Sequence, residues 1–338
     1  MIVALLLVGT LLLAWSNGAN DNFKGVATLY GSGVLGYRKA LAWASLATLT
    51  GGLVSVMLAD TLARTFSGEA VLHGGALGAG MLAAMVVAAG VTVLLATFLH
   101  MPTSTTHALM GALVGVALAS DPSRIRVDRL ATLFFAPMLL APLIALVAVG
   151  ALFQAWRLLR RDRGAGDDPC ACLDPAPVAA LATPRGTLTY AVAPALPALR
   201  LDAASRCEAD GAGTLARVDA RGAAGAMHVL SGGAVCFARA LNDTPKIAAV
   251  LLAASAFADR PRSALLLVVI AFVVVGGLVQ SRGVARTMSR RITTLGAGTG
   301  LTANLVTAGL VLGASRFGLP VSTTHVSCAS LFGVGAAT

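Results

Sequence analysis

The chain has 338 residues, 57% of them hydrophobic and 12% charged, with a mean hydropathy of +0.82 and a formal net charge of +10. A soluble domain needs roughly 25% charged residues to cover its surface. That deficit excludes a water-soluble enzyme and, despite the positive charge, a nucleic-acid-binding protein. The bilayer is the solvent that fits.

The first apolar stretch, about residues 1–16, has neither a basic flank nor a small-residue cleavage site. It predicts a retained membrane helix rather than a signal peptide. It runs into Gly18-Ala19-Asn20-Asp21-Asn22-Phe23-Lys24-Gly25. Further apolar stretches follow at about 40–59, 76–99, 105–119, 130–153, 226–238, 246–258, 263–280, 295–314 and 320–337. A spanning helix needs roughly 20 residues, so the shorter stretches predict half-helices or re-entrant pieces. Each borders a polar motif.

Nine of the 25 basic and eight of the 15 acidic residues fall between Gln154 and Gly222. This predicts a polar insert rich in Pro and Gly, with room for short strands such as Leu188–Val192. Arg157, Arg160, Arg161 and Arg163 at its leading edge place it in the cytoplasm. Cys170, Cys172 and Cys207 lie there without a histidine to complete a zinc set, so no structural metal is expected.

Two motifs recur. Asn20-Asp21 with Lys24 returns as Asn242-Asp243 with Lys246, at an offset of 222. Pro102-Thr103-Ser104-Thr105-Thr106-His107 returns as Pro320-Val321-Ser322-Thr323-Thr324-His325, at an offset of 218. Leu77-Gly78-Ala79-Gly80 matches Leu295-Gly296-Ala297-Gly298, and Ala63-Arg64-Thr65 matches Ala285-Arg286-Thr287. Four matches in one order mark a duplication. The domains read as a first transmembrane repeat over 1–119, a connecting segment over 120–153, the insert over 154–222 and a second repeat over 223–338. Five crossings before the second copy would invert it, the pattern of secondary transporters with sites at the repeat interface.

Asp21 and Asp243 lie in apolar surroundings, where a carboxylate is costly unless it meets a cation, a donor or water. With Asn20, Asn22, Asn242 and Thr244 they offer the oxygens a hard cation prefers, and sodium is the candidate. The hydroxyls of Ser104, Thr105, Thr106, Ser322, Thr323 and Thr324, placed at helix starts, predict an oxyanion cradle. Lys24 and Lys246 are auxiliary groups, able to pair with the aspartates or attract an anion. His107 and His325 are auxiliary as well, with a structural role favoured. Plainer roles fit the same residues: Asn and Asp cap helices, and Ser/Thr-rich helix starts pack closely in membranes.

At these residues the sequence resembles the inorganic phosphate transporter (PiT) family, whose hallmarks are a duplicated Gly-Ala-Asn-Asp signature and Pro-x-Ser-Thr-Thr-His segments. The first signature matches as Gly18-Ala19-Asn20-Asp21. The second keeps only Asn242-Asp243, after Arg239-Ala240-Leu241. The resemblance implies a cation-coupled importer with one phosphate at the repeat interface and cations on the Asn-Asp oxygens. Many sodium-coupled members carry an acid near the position of Thr48, with its repeat mate near Val273. Both are neutral here, which leaves the coupling ion open between H+ and Na+.

The expected protein is therefore an all-α polytopic membrane protein of two inverted repeats with interrupted or re-entrant helices and a small insert. It is no enzyme and has no cofactor beyond the coupling cation. Its partners are inorganic phosphate, that cation, the lipid of the cytoplasmic (inner) membrane and a second copy in a homodimer, with no nucleic acid. Phosphate is favoured over sulfate because it carries a proton that Asp21 or Asp243 can accept. A sulfate or other oxyanion permease, or a passive anion channel, is the alternative.

Overall fold

The computed structural model describes residues 1–57, 66, 68–75, 77–161, 169–174, 178–182, 188–192, 198–203, 216–254, 257, 259–292 and 295–337. The Ala63-Arg64-Thr65 motif, Arg163 and Cys207 lie outside the described residues. Met1–Ala155 with His228–Thr338 form one compact unit, and Trp156–Met227 a second.

The helices in chain order are α1 (Ile2–Asp21), α2 (Ala27–Gly31) after a 3-10 turn at Lys24–Val26, α3 (Tyr37–Ser55), α4 (Ala79–Phe98) and α5 (Thr105–Ser120). Then come α6 (Val127–Leu130), a π turn at Ala131–Phe135, α7 (Ala136–Arg161), α8 (Ala220–Ala253), α9 (Arg262–Gln280), α10 (Arg282–Arg290), α11 (Ala297–Arg316) and α12 (Thr323–Ala337). The duplication is explicit in this order. α4 and α5 return as α11 and α12, starting 218 residues later, and α3 returns as α9 with both ends displaced by 225.

Local chemistry sets the starts. α5 begins at Ser104, whose hydroxyl accepts from the His107 N–H at 3.2 Å. α12 begins at Ser322, whose hydroxyl accepts from the His325 N–H at the same distance. Each serine satisfies one of the unpaired N–H groups of its helix. At 16 and 15 residues these helices are about 24 Å long, short of the roughly 30 Å hydrocarbon core. They are the re-entrant pieces the sequence predicts. Among the described residues five segments are long and apolar enough to cross a membrane: Ile2–Gly31, Ala79–Phe98, Val127–Ala155, Gly222–Ala253 and Arg262–Gln280.

The first Asn-Asp motif breaks its helix, as expected: α1 stops at Asp21 and the chain turns before Lys24. The second does not. α8 runs continuously through Asn242, Asp243, Thr244 and Pro245 to Ala253, so the stretch at 226–238 and the part of the next stretch from 246 to 253 are one helix. Proline removes one backbone hydrogen bond, but Ile247, Ala248, Ala249, Val250 and Leu251 are all fully enclosed. Packing on every side holds the helix together across the proline, as neighbouring helices do in membranes.

The two copies interlock through reciprocal crossings. A Cβ on Gly276 of α9 would lie 2.2 Å from the Trp15 carbonyl of α1, and one on Gly51 of α3 would lie 2.3 Å from the Phe237 carbonyl of α8. Glycine at these two places lets backbone touch backbone, the device membrane helices use to pack without a hydrophobic drive. Behind the crossing, Leu6 and Leu13 of α1 join Leu82, Met85 and Val86 of α4 and Val269 of α9 in a buried cluster. On α7, Leu139, Leu140, Leu143 and Val147 are exposed. These faces, with the five apolar segments, make the chain a multi-pass integral membrane protein.

Among its described residues the second unit carries five short strands in two antiparallel sheets. β1 (Pro169–Asp174) lies between β4 (Ala198–Ala203) and β5 (Ala216–Asp219), with Cys172 opposite Arg200 and Arg217. β2 (Val178–Ala182) pairs with β3 (Leu188–Val192). The Arg200 guanidinium donates to Asp174 at 3.1 Å across the β1–β4 pair.

Candidate functional site

The starts of α5 and α12 meet. The Ser322 hydroxyl donates to Ser104 Oγ at 2.8 Å, and the His107 and His325 rings lie 4.4 Å apart between centroids. Each imidazole Nδ1 rests on its own capping serine, at 2.9 Å for His107 and 2.7 Å for His325. Beyond this first turn α5 packs on α4 and α12 on α11. Two helix N-termini are thereby brought together, and their partial positive charges add at one place.

Around the junction the contacts of each lysine are repeated in the other copy. Lys24 Nζ bonds the Asp21 carboxylate, the Thr103 carbonyl at 2.8 Å and the Thr324 hydroxyl at 2.6 Å. Lys246 Nζ bonds the Asp243 carboxylate at 3.5 Å, the Val321 carbonyl at 3.0 Å and the Thr106 hydroxyl at 2.9 Å. Thr324 donates to the Thr103 carbonyl and Thr106 to the Val321 carbonyl. Contact of i with j and of j with i is the mark of a two-fold arrangement. Each lysine therefore ties its own repeat to the hydroxyl row of the other.

Two residues of the network carry no sequence motif. Asn17 lies one helical turn before Asp21, and its amide donates to Thr105 Oγ1 at 2.9 Å, Asp21 Oδ2 at 3.1 Å and Asp243 Oδ2 at 3.4 Å. Its oxygen accepts from Arg239 Nη1 at 3.1 Å. Arg239, 1% exposed, also donates to Thr48 Oγ1 at 2.9 Å, and its Nε meets no partner. The available signal was position: each stands four residues before its aspartate inside an apolar stretch, at the shared offset of 222.

The structure separates the predicted cation ligands by role. Asp21 and Asp243 come together through Asn17, but Asn20 is fully used in fastening α1 to the loop before α5. Its amide donates to Thr97 Oγ1 and the Met101 carbonyl, and its oxygen accepts from the Thr103 N–H, all near 3.0 Å. Asn242 fastens the other copy likewise, reaching the Val321 carbonyl and accepting from Ser315, and its amide also donates to Asp243 Oδ1 at 3.1 Å. Asn22 points away, to Ser45 and Thr48 on α3. Thr244 and Thr323 are buried beside the network. Thr105 bridges Asn17 and Asp21, donating to the carboxylate at 3.4 Å.

An open cavity of about 540 Å³ reaches the junction from one side, lined by Thr92, Thr103, Ser104, His107, Thr324 and His325 among others. Thr103 and Thr324, the two neutral partners of Lys24, line it, whereas Val321 and Thr106, the neutral partners of Lys246, do not. On the other side Lys246 lies 5.7 Å from the centre of the Phe66 ring, which is wholly buried against Phe134. The cavity therefore meets the partners of one lysine and not those of the other.

Fold and site together define a class: a duplicated, multi-pass helical membrane protein with a polar, cation-rich site where two short helices meet end to end, the build of a membrane transporter. The chain belongs to the phosphate transporter family, whose model matches residues 17–338. It is 27% identical to inorganic phosphate transporter 2-1, chloroplastic, of Arabidopsis thaliana, over 96% of this chain and 64% of that protein. It is 28% identical to a probable low-affinity inorganic phosphate transporter of Mycobacterium tuberculosis, over 49% of this chain and 38% of that one. The chain thus spans less than two thirds of either relative. A solved structure, the sodium-dependent phosphate transporter, superposes with a TM-score of 0.73 over 99% of this chain and 90% of its own, at 18% identity, a likeness of fold.

Proposed function

We propose that the chain carries inorganic phosphate across the membrane as a secondary transporter, by alternating access and coupled to a cation gradient of H+ or Na+. The observation that carries this reading is the junction itself. Two helix N-termini, two lysines and two threonine hydroxyls converge on one buried place from opposite repeats. Such a convergence suits a tetrahedral oxyanion, because donors arrive from several directions and helix dipoles act strongly in low dielectric. Family membership supports phosphate as that anion.

Alternating access is supported by the unequal halves. The cavity is lined by the Lys24 partners Thr103 and Thr324, while the Phe66 ring lies beside Lys246, and exchanging such environments between pseudo-symmetric halves is how inverted repeats expose one site to either side. We place the protein in the cytoplasmic membrane with the strand-bearing insert inside, from the arginines that precede it. The exposed apolar face of α7 is where a second copy would pair.

Radiolabelled phosphate uptake into proteoliposomes under imposed proton or sodium gradients, with excess unlabelled sulfate, tests the reading. Accumulation above equilibrium that sulfate leaves unchanged is the expected result. Competition by sulfate would identify a general oxyanion permease, and mere equilibration would identify a channel.

A further inference from the structure

We infer that this protein carries the counter-cations of its substrate as side chains, so that phosphate binds without sodium. The inference rests on the phosphate reading above and deepens it. The ammonium of Lys24 sits among one carboxylate oxygen, one backbone carbonyl and one hydroxyl: Asp21 Oδ1, Thr103 O and Thr324 Oγ1. The ammonium of Lys246 sits among the same three kinds of oxygen: Asp243 Oδ1, Val321 O and Thr106 Oγ1. Carboxylate, carbonyl and hydroxyl oxygens are the ligands hard cations take. Here both all-oxygen nests are filled by nitrogen cations on tethers, and the remaining amide oxygens, those of Asn20, Asn22 and Asn242, are committed to other donors.

The charge balance gives the second half of the argument. Among the described residues the buried charged side chains are Asp21, Asp243, Lys24, Lys246 and Arg239. Each lysine has its aspartate. Arg239 hydrogen-bonds only the neutral Asn17 and Thr48, its Nε has no partner, and the Asp21 carboxylate that attracts it is already paired with Lys24. A buried charge without a counter-charge is unfavourable, and this one lies a single residue, Asn17, away from both carboxylates. The network therefore holds one surplus positive charge. A monovalent oxyanion neutralises it, whereas a divalent one would leave a buried negative charge and need a further cation. Dihydrogen phosphate is the form that fits, and it brings its proton with it, so proton coupling follows from the substrate's own ionisation.

The test is equilibrium binding of radiolabelled phosphate to the purified full chain in detergent, in sodium chloride and in choline chloride, at several pH values. The expected result is one affinity in both salts, within about two-fold, which weakens as pH rises through the second ionisation of phosphate. A loss of about ten-fold or more in choline, equivalent to about 1.4 kcal/mol, would overturn the inference and leave the phosphate reading intact. So would tighter binding at the higher pH. Absence of binding in both salts would overturn the phosphate reading, and the inference with it. Arg239→Gln is expected to weaken binding about ten-fold or more in both salts, and unchanged affinity would remove Arg239 from the charge balance. The salt and pH comparisons on the unaltered protein decide the matter if that variant does not fold.

Discussion

Asn17 and Arg239 occupy the same position in the two copies, 222 residues apart, and they hydrogen-bond to each other at 3.1 Å. The pseudo-two-fold relation thus passes through a contact between mates that have diverged from one another. One is a neutral amide that reaches both aspartates, and the other a guanidinium that supplies charge. The site is symmetric in geometry and asymmetric in electrostatics.

Asn17→Ala should cut phosphate transport strongly while leaving a folded protein. The change strips a donor from Asp21, Asp243 and Thr105 and an acceptor from Arg239. Each buried group left unsatisfied costs about 1–3 kcal/mol. A lower midpoint in thermal unfolding in detergent, together with loss of uptake at normal abundance, is the expected pair of results. Unchanged uptake would show that the link between Arg239 and the aspartates is not needed.

The hydroxyl row divides into two functions. Ser104 and Ser322 cap helices, so Ser104→Ala should cost about 1 kcal/mol of stability and lower the yield of folded protein. Thr324 and Thr106 hold the lysines, so Thr324→Val should raise the half-saturating phosphate concentration of the folded fraction about ten-fold, which Ser104→Ala should leave unchanged. Uptake curves alongside gel-filtration profiles separate the two. If both variants lost yield and affinity alike, the division would be wrong.

Asp21→Asn leaves the Lys24 ammonium buried among neutral oxygens only. Removing one member of a buried pair costs about 3–5 kcal/mol, and the remaining oxygens bring the expectation to the low end. Combining it with Lys24→Met removes both charges and should recover folded yield while transport stays lost. A double-mutant cycle on unfolding midpoints measures the coupling. Additive effects would mean that the two side chains do not act as a pair.

Gly276→Ala should abolish the folded state, because its methyl would lie 2.2 Å from the Trp15 carbonyl and backbone cannot give way as a flexible side chain can. Gly313→Ala, in a helix with open space around that position, should be neutral or gain about 0.5–1 kcal/mol from the lower backbone entropy of alanine. Size-exclusion profiles of the two variants make the comparison.

Much of this was legible in the chain. The duplication, the two short helices that begin at Thr105 and Thr323, and the convergence of the Asn-Asp and Ser-Thr-Thr motifs all follow from spacing and from the shortage of polar residues in apolar stretches. A polar residue in hydrocarbon needs a partner, which makes motif and site nearly the same thing here. The continuity of α8 across Pro245 was not legible. Asn242, Thr244 and Pro245 read locally as a break, and only the enclosure of Ile247–Leu251 by other helices opposes that reading. Nor was the division of labour among the motif residues: Asn20 and Asn242 look like ligands in sequence and act as fasteners in space.

By itself, the sequence determined the solvent, the repeat and the set of groups that must lie together, because burial in a bilayer leaves polar side chains few alternatives. Only the tertiary structure decided who partners whom. It paired Lys24 with Thr324 and Lys246 with Thr106 across the repeats, placed Asn17 between both carboxylates, and brought the Arg239 guanidinium against Thr48. Those pairings depend on where helices cross, and the crossings are set by close backbone contacts at Gly51 and Gly276 between segments more than 180 residues apart, a separation over which no local pattern carries information.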